Sequence, residues 1–334
     1  MLNVAVVGAS GYAGAELCRL IMGHPDLNLA GLFVSAGSED QGKNISELYG
    51  SFQGKCSAVL EPLRDVKQIS SCADAVFLAT DHRVSHDLVP GLIAEDVTVF
   101  DLSGAFRLSN LETFKNYYGF SHEHEDILAQ AVYALGEYVD IEKLKNTRII
   151  SLPGCYPTAS QLALKPLIDA DLLDRNYRPS INAVSGVSGA GRKAKLGNSF
   201  CEVSLNAYGV FTHRHLPEIV EHLGMDVIFN AHLGSFKRGI LATVTAKLKE
   251  NVAGETAGRA FVAAYKNKPL IRLKDNMPKL QDVQGLPYCD IGIAEKDGYI
   301  VICSAIDNLL KGAAAQAVQV MNLRYGFNET DGLL

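Results

Sequence analysis

A glycine-rich segment close to the start of the chain constrains the fold more than any other feature. The apolar run Val4–Val7 is followed by the glycine-rich sequence G-A-S-G-Y-A-G at positions 8–14 and by helical periodicity over Ala13–Met22. A second apolar run at Leu29–Val34 completes a strand–helix–strand unit, and such a unit requires parallel pairing of its two strands. The sequence therefore predicts an α/β domain that begins with a nucleotide-binding type of turn.

The same alternation continues and then stops. Apolar runs at Ala75–Leu78 and Val97–Phe100 extend the pattern to a doubly wound parallel sheet, a Rossmann domain over residues 1–152. After residue 152 the runs are typical of a mixed, mostly antiparallel sheet. We expect its strands at Ser180–Val184, Met225–Asn230, Ile240–Ala246, Ile291–Ala294 and Tyr299–Ala305, and helices at Thr158–Ala170, Leu216–Leu223 and Leu309–Arg324.

These elements predict two domains. The second domain, of α+β type, covers residues 153–305, and the segment 306–334 joins the Rossmann domain, with Asp307 or Asn308 capping its helix. The composition excludes several other classes: 31 Lys and Arg against 37 Asp and Glu give a net charge of −6, which is not the balance of a nucleic-acid-binding protein. Apolar runs are too short to span a membrane, and the first residues do not resemble a signal peptide.

Seven cysteines are scattered along the chain without a C-x-x-C pair. An odd, widely spaced set argues against a disulfide framework and against a zinc site, so we expect no metal and a reducing, cytoplasmic environment.

The glycines of the first loop have the spacing G-x-x-G-x-x-G, at Gly8, Gly11 and Gly14. At a strand–helix junction this spacing allows a tight turn and a close approach of backbone amides to a pyrophosphate. A purely structural tight turn is the alternative. The residues of this half expected to contact a dinucleotide are Gly8, Ser10, Gly11, Tyr12, Ala13, Gly14, Ser35, Ser38 and Thr80.

The end of the second strand indicates which dinucleotide is bound. A site for NAD places Asp or Glu there, whereas this chain has the sequence V-S-A-G-S at positions 34–38. Ser35 and Ser38 can donate hydrogen bonds to a 2′-phosphate and Lys43 can add charge, which favours NADP(H). The alternative is that these are loop serines without a binding role.

One cysteine stands out from the other six. Cys155 lies between Pro153 and Pro157 immediately before a predicted helix, where the helix dipole stabilises a thiolate. It is the candidate nucleophile. The remaining cysteines lie in apolar or small-residue runs and are expected to be inert.

A cluster of histidines supplies the candidate acid and base. His213, Arg214 and His215 precede Pro217, which marks the first turn of a helix. The sequence does not separate the roles of the two histidines, and a metal site formed by them is a weaker alternative. Glu218 either orients an imidazole or complements the helix dipole.

Two loops carry candidate anion-binding groups. The Ser/Gly-rich segment Ser185–Arg192 presents amides and Arg192, although a mobile surface turn is the alternative. The segment Asp101–Arg107 follows a predicted strand at the edge where α/β sheets bind ligands, so Ser103 and Arg107 are further candidates.

Taken together, these segments resemble the N-acetyl-γ-glutamyl-phosphate reductase family of the semialdehyde dehydrogenase group. The resemblance covers nearly the whole chain, and it rests on the segments GASGYAG, DLSGAFRL, SLPGCYPTA, SGVSGAGR, HRHLPEI and DNLLKGAAAQAVQVMN. It implies a GAPDH-like architecture and the NADPH-dependent reduction of an acyl phosphate to a semialdehyde in arginine biosynthesis. It also implies a homodimer or homotetramer.

The resemblance assigns roles to individual positions. Cys155 matches the nucleophile, and His215 is favoured for proton transfer, with His213 beside it. The resemblance also places Asn308 and Gly312 at the nicotinamide. The Ser/Gly-rich loop adds candidate cofactor contacts at Ser185, Gly186, Ser188 and Gly189. Candidate substrate contacts are Ser103, Arg107, Arg192, Arg214 and Tyr208, and the sequence does not show which arginine binds the phosphate. Amides at the helix start near Thr158 are expected to stabilise the oxyanion.

Other functions remain open at this point. Aspartate-semialdehyde dehydrogenase uses the same chemistry on a shorter acidic substrate. A Cys/His hydrolase or acyltransferase would not bind NADPH, and a non-catalytic NADP-binding sensor would bind it without turnover.

Overall fold

The computed structural model describes residues 1–250, 252 and 254–334. The chain forms two compact units. Unit 1 consists of Met1–Pro153 together with Ala313–Leu334, and unit 2 consists of Gly154–Gly312. No helix in the described ranges is long and apolar enough to cross a membrane. All seven cysteines are thiols, so the described residues contain no disulfide bond.

Unit 1 is built on a seven-stranded sheet in which every neighbouring pair is parallel. Its strands are β1 (Leu2–Val7), β2 (Leu27–Ser35), β3 (Glu61–Leu63), β4 (Ala75–Leu78), β5 (Thr98–Asp101), β6 (Val132–Tyr133) and β7 (Ile149–Ser151). The order is β3-β2-β1-β4-β5-β7-β6, so the winding direction reverses between β1 and β4. That reversal is where doubly wound sheets bind ligands.

Unit 1 also contains α-helices. They are α1 (Tyr12–Met22), α2 (Ile45–Leu48), α3 (Lys67–Ser70), α4 (His82–Ala94), α5 (Leu111–Tyr118), α6 (Glu125–Leu128), α7 (Ile141–Asn146) and α11 (Ala315–Tyr325). Of these, α1 and α4 pack on the sheet, and α11 packs on α1 and α7. All four residues of β4 and all four of β5 are buried. Strands that are covered on both faces have continuous apolar sequences, which is why the apolar runs in the sequence predicted them.

Unit 2 contains a second seven-stranded sheet, which is mixed. Its strands are β8 (Ser180–Gly186), β9 (Asn206–Tyr208), β10 (Ile228–Gly234), β11 (Ile240–Lys247), β12 (Ile271–Lys274), β13 (Cys289–Lys296) and β14 (Tyr299–Ile306), in the order β12-β13-β14-β11-β8-β10-β9. Two neighbouring pairs are parallel, β8 with β10 and β12 with β13, and four are antiparallel. Its helices are α8 (Cys155–Asp169), α9 (His215–Leu223) and α10 (Gly254–Tyr265). The predicted fold class is confirmed.

Several predicted boundaries differ from the structure, and three of them lie at or near the candidate site residues. The helix expected from Thr158 begins at Cys155, because Pro157 fits the first turn, where its missing amide proton breaks no helical bond. The strand expected from Met225 begins at Ile228, since Gly224 ends α9 with φ at 62° and the chain turns before β10. The helix expected over Leu309–Arg324 starts as a π-helical turn, Leu310–Ala314, before α11.

Candidate active site

The glycine loop of unit 1 brings three backbone segments together. Gly8 follows β1 with φ at +84°, and its amide donates to the carbonyl of Phe33 at 2.8 Å. A Cβ at position 8 would lie 2.3 Å from the carbonyl oxygen of Ala79, and one at Gly14 would lie 2.2 Å from the carbonyl oxygen of Gly8. Neither position has room for a side chain, so the glycines are required by the turn itself.

The start of α1 forms an anion cradle. Gly11 is the N-cap, its carbonyl accepts from Ala15 at 2.9 Å, and the amides of Tyr12, Ala13 and Gly14 lie in the first turn. Helix N-termini of this kind bind phosphate groups through their amides and dipole. The loop is held from behind, since the Tyr49 hydroxyl donates to the carbonyl of Ser10 at 2.9 Å. A cradle that a Cβ would fill is what a pyrophosphate requires.

The end of β2 is polar and open. Ser35 is exposed, while Ser38 Oγ accepts from the amide of Asp40 at 3.2 Å. Lys43 pairs with Asp40 through a 3.3 Å contact and keeps 44% of its side chain exposed. At the end of β4, the hydroxyls of Thr80 and Ser85 share a 2.8 Å hydrogen bond. None of these contacts tests the predicted preference for a 2′-phosphate, which stays a prediction.

The loop after β5 is tightly bonded to itself. Asp101 is fully buried and accepts from the Ser103 amide and the Ser103 hydroxyl, each at 2.9 Å. Burial raises the pKa of Asp101. Arg107 is also buried and donates to the carbonyl of Leu102 at 2.6 Å. Both predicted anion ligands, Ser103 and Arg107, thus have structural contacts within unit 1, and their binding role stays a prediction.

Cys155 is the first residue of α8 in unit 2. Gly154 is the N-cap, and its carbonyl accepts from the amide of Thr158 at 2.9 Å. Pro157 has no amide proton, so the donors of the first turn are the amides of Cys155 and Tyr156. The candidate oxyanion donors are therefore the amides of Cys155 and Tyr156, not amides near Thr158. The helix dipole points its positive end at a half-buried thiol, as a reactive cysteine requires.

Glu218 reaches back from α9 to this helix start. Its carboxylate is fully buried, and Oε1 accepts a hydrogen bond from the amide of Gly154 at 2.8 Å. The bond joins the first turn of α9 to the residue that precedes Cys155. The sequence predicts that Glu218 either orients an imidazole or complements the helix dipole. Neither hypothesis includes this hydrogen bond to the Gly154 backbone.

The two histidines of H-R-H differ in their bonding. His213 Nδ1 accepts from the backbone amide of His215 at 3.1 Å, so a proton on this ring belongs on Nε2. Burial, with a smaller effect of Arg214, lowers the pKa of His213 from 6.5 to about 4. His213 is therefore neutral near neutral pH. His215 begins α9, and its ring centroid lies 4.9 Å from that of His213.

Two tyrosines complete this aromatic cluster. The Tyr208 hydroxyl donates to the Tyr156 hydroxyl at 3.3 Å, and Tyr156 donates to the carbonyl of His232 at 2.9 Å. Burial raises the pKa of both phenols, so both remain protonated donors. The Tyr156 ring stands edge-on to both histidines, 5.6 Å from His213 and 5.9 Å from His215. The predicted substrate contact Tyr208 is thus bonded to the neighbour of Cys155.

The Ser/Gly-rich loop after β8 is paired with the β10–β11 loop. The amide of Gly186 donates to Gly239 at 3.0 Å and the amide of Ser188 donates to Lys237 at 3.1 Å. A Cβ at Gly186 would lie 2.6 Å from the amide nitrogen of Arg238. These contacts hold the first part of the segment, at Gly186 and Ser188, against the β10–β11 loop. Arg192, beyond it, is exposed, as is Arg214.

Asn308 and Gly312 occupy defined places in unit 2. The Asn308 side chain accepts from the Gly239 amide at 2.7 Å and donates to Ser188 Oγ at 3.0 Å. A Cβ at Gly312 would lie 2.8 Å from the Cβ of Cys155. Contacts of both residues with a cofactor stay predictions. The described residues hold no group of three or more His, Cys, Asp or Glu placed to bind a metal ion.

Comparison with known proteins identifies the family. A model described as the semialdehyde dehydrogenase NAD binding domain matches residues 3–147, and one described as the semialdehyde dehydrogenase dimerisation domain matches residues 155–308. Two curated relatives, both named N-acetyl-gamma-glutamyl-phosphate reductase, are from Yersinia pseudotuberculosis and Escherichia coli K12. They are 57% and 55% identical to this chain, with all of each sequence covered. The chain belongs to the semialdehyde dehydrogenase family.

Solved structures agree on the fold of this semialdehyde dehydrogenase. Aspartate semialdehyde dehydrogenase II of Vibrio cholerae, complexed with ASA, matches with a TM-score of 0.73 at 17% identity over 98% of each chain. The Candida albicans enzyme with NADP matches with a TM-score of 0.71 at 15% identity over 97% of this chain and 98% of that one. The resemblance inferred from the sequence motifs is confirmed.

Sequence reasoning missed one pair of residues in this semialdehyde dehydrogenase. Arg238, in the loop between β10 and β11, forms an ion pair with the fully buried Asp307. The segment S-F-K-R-G around Arg238 matches no motif, and the two residues are 69 positions apart. The sequence predicts for Asp307 only the role of a helix cap, and an acidic residue before an apolar helix is the one available signal.

Proposed function

We propose that this chain reduces N-acetyl-γ-glutamyl phosphate with NADPH, giving N-acetyl-L-glutamate 5-semialdehyde and phosphate in arginine biosynthesis. The observation that carries the proposal is Cys155, which stands at the N-terminus of α8 with Gly154 bonded to Glu218 of the helix that begins with His215. Full-length relatives with 55–57% identity bear the name of that reductase.

Cys155 performs the first chemical step. Its thiolate attacks the acyl carbon, the C–S bond forms, and the bond from carbon to the phosphate oxygen breaks, so that phosphate leaves and a thioester remains. The amides of Cys155 and Tyr156 stabilise the negative charge that develops on the carbonyl oxygen. The candidates for holding the leaving phosphate or the substrate carboxylate are Arg107, Arg192 and Arg214, with Ser103 and Tyr208 as further contacts.

Proton transfer falls to His215. NADPH, when bound, supplies the hydride that reduces the thioester carbonyl. Addition of hydride leaves an alkoxide on Cys155, and His215 donates a proton to that oxygen to give the hemithioacetal. His215 removes the proton again when the C–S bond breaks to release the aldehyde and the Cys155 thiolate. Two observations support His215 over His213 for this role: the His213 Nδ1 atom accepts the His215 amide, and burial lowers the pKa of His213 to about 4.

The binding partners follow from the residues already described. The cradle at Gly8–Gly14 fits a pyrophosphate, and the serines at the end of β2 favour NADPH over NADH because they present hydrogen-bond donors and no negative charge. The matched dimerisation domain supports assembly into a homo-oligomer, for which we propose a homodimer or homotetramer. A cytoplasmic location stays a prediction that rests on the cysteine pattern.

The reverse reaction tests the proposal. We expect phosphate-dependent reduction of NADP⁺ by N-acetylglutamate 5-semialdehyde, measured by NADPH absorbance, and its loss in Cys155→Ser. Cys201→Ser is the matched control because it removes an exposed thiol of the same unit. Turnover with aspartate semialdehyde in place of the acetylated substrate would contradict the assigned substrate. Full activity in Cys155→Ser would contradict the thioester route.

A further inference from the structure

The buried carboxylate of Asp307 binds several backbone amides just before the segment that packs against Cys155. The side chain of Asp307 is fully buried, and its Oδ1 atom accepts from the amides of Leu309 at 2.9 Å and Leu310 at 3.1 Å. Its Oδ2 atom accepts from the amide of Gly285 at 2.7 Å and from Nε of Arg238. Asp307 thus caps the turn that follows it and fastens that turn to two other segments of unit 2.

The capped turn lies directly against Cys155. The amide of Gly312 donates to the carbonyl of Asp307 at 2.9 Å, a bond that spans five residues and gives the turn its π-helical form. A Cβ at Gly312 would lie 2.8 Å from the Cβ and 3.3 Å from the Cα of Cys155. Only a bare backbone fits there. The position of this turn therefore limits where the Cys155 side chain can lie.

Arg238 connects Asp307 to the loop between β10 and β11. It lies in the loop between β10 and β11, and a quarter of its side chain is exposed. The next residue in that loop, Gly239, donates its amide to Asn308 at 2.7 Å. One short loop is therefore joined to Asp307 by an ion pair and to Asn308 by a hydrogen bond. Without Arg238 the buried Asp307 carboxylate would lose its cation, which is costly for a buried ion pair.

We propose that Arg238 and Asp307 are positioning residues for Cys155. Their ion pair fixes the π-helical turn, and the Gly312 backbone of that turn packs on the Cα and Cβ of the nucleophile and sets the direction of its sulfur. The proposal rests on the proposed function in one respect, which is that Cys155 is the nucleophile. Neither Arg238 nor Asp307 is given a chemical step.

Unit 2 contains a second buried ion pair of the same composition, which serves as the matched control. Asp290 on β13 is fully buried, and Arg272 on β12 is one-third exposed. Arg272 donates to it through Nε at 2.6 Å and Nη2 at 2.9 Å. This pair joins two strands of the sheet and is not part of the turn that covers Cys155. Arg272 Nη2 also donates to the carbonyl of Asp282 at 2.9 Å, so the loss of Arg272 measures the cost of a broken buried ion pair together with that bond.

The experiment compares Arg238→Met, Arg238→Lys and Arg272→Met in the full chain. The first readout is the rate of Cys155 alkylation by iodoacetamide as a function of pH, followed by mass spectrometry of the Cys155 peptide. The second is kcat and KM of the reverse reaction, with the melting temperature recorded for each variant. Because alkylation needs no substrate, it reports on the nucleophile whether or not the proposed substrate is right.

We expect Arg238→Met to slow both alkylation and kcat by about tenfold or more, with a KM close to that of the wild type, since small displacements of a reacting group have effects of that size. Arg238→Lys restores part of the loss because it returns the cation. Arg272→Met lowers the melting temperature and leaves the alkylation profile unchanged. Equal alkylation losses in Arg238→Met and Arg272→Met, or unchanged alkylation in Arg238→Met, would overturn the proposal.

A second variant guards against misfolding of Arg238→Met. Gly312→Ala leaves the ion pair in place and inserts a methyl group 2.8 Å from the Cβ of Cys155, so the same fall in alkylation and kcat is expected. Unaltered alkylation in Gly312→Ala would sink the inference. Activity that survives Cys155→Ser would instead contradict the proposed function, and the two failures are therefore distinguishable.

Discussion

Glu218 Oε1 accepts the amide proton of Gly154 at 2.8 Å, and this bond ties the start of α9 to the start of α8. His215 and Cys155 are the first residues of those two helices. Because the carboxylate is fully buried, water does not compete for it. One hydrogen bond thus connects the segments that carry the candidate nucleophile and the candidate acid.

Replacing Glu218 tests this connection. We expect Glu218→Ala to lower kcat by about tenfold to a hundredfold and stability by about 1–3 kcal/mol, because the buried Gly154 amide is left without its acceptor. Glu218→Gln should recover most of kcat, since its amide oxygen can accept the same bond. Steady-state kinetics and urea unfolding measure both effects. Glu221→Ala, about one helical turn further along α9, is the control. If kcat of Glu218→Gln were as low as that of Glu218→Ala, the charge of Glu218 would matter and not its hydrogen bond.

The two histidines should separate by their pH profiles. His215→Asn is expected to lower kcat by about a hundredfold or more and to remove a limb of the pH–kcat profile, as the loss of a general acid does. His213→Asn should lower kcat less and keep both limbs, because the His213 ring with its pKa near 4 does not titrate near neutral pH. A lost limb in His213→Asn together with a retained one in His215→Asn would reverse the assignment.

Gly8 should tolerate no side chain. Gly8→Ala forces an L-residue to φ near +84° and places its Cβ 2.3 Å from the carbonyl oxygen of Ala79. We expect a lower melting temperature and a rise in the Kd for NADPH of about a hundredfold, measured by fluorescence titration. Gly50→Ala is the matched control in the same unit, since no atom lies within 4 Å of its Cβ position. Wild-type NADPH affinity in Gly8→Ala would contradict the site.

An acidic residue at the end of β2 should change the preferred cofactor. Ser35→Asp places a carboxylate on an exposed position where it repels a 2′-phosphate and accepts from a ribose 2′-hydroxyl. The ratio of kcat/KM for NADPH over NADH is expected to fall by about tenfold or more. Ser57→Asp provides a control for added surface charge. An unchanged ratio in Ser35→Asp would place the 2′-phosphate elsewhere.

His122 makes unit 1 sensitive to acid. Burial, with smaller effects of His86 and His124, lowers the pKa of His122 from 6.5 to about 4, so the unfolded chain binds this proton more readily than the folded one. The stability that the neutral His122 ring contributes to the folded chain is present above about pH 6.5 and is lost as the pH falls toward about 4. Between about pH 7 and about pH 5 we expect the free energy of unfolding to fall by about 2 kcal/mol through His122.

His122→Phe should remove that loss. The ring of His122 already stands among Phe106 and Phe114, with centroids 5.0 and 5.1 Å away, so a phenyl group fits the same surroundings. Urea unfolding of both proteins at the two pH values gives the comparison. His124→Phe, a less buried histidine of the same loop, is the control. Equal pH dependence in wild type and His122→Phe would contradict the prediction.

Features that depend on neighbouring residues were predictable from the sequence. The run Val4–Val7, the glycines that follow it and the periodicity of α1 are consecutive, and each indicates the same strand–turn–helix unit. Cys155 was singled out because its prolines and the adjacent helix are also consecutive in sequence. Even here the helix start was misplaced by three residues, since Pro157 is equally compatible with the turn before a helix and with its first turn.

Contacts between distant residues were not predictable in this way. Glu218 and Gly154 are 64 positions apart, and only the packing of α8 against α9 brings them into contact. The neutral state of His213 depends on burial and on the direction of one backbone amide, neither of which residue order reveals. Residue types show which chemistry is available, whereas tertiary packing decides which of two similar side chains performs it.

Residues 313–334 belong to the same unit as residues 1–153, and unit 2 lies between them in the chain. His24 bonds to Asn322 at 3.0 Å, 298 positions later, so a growing chain presents α1 long before the ribosome has made α11. Unit 2 can complete its fold during synthesis, but unit 1 is complete only when residues 313–334 emerge after unit 2. Until then the surface of α1 that α11 covers is available to chaperones.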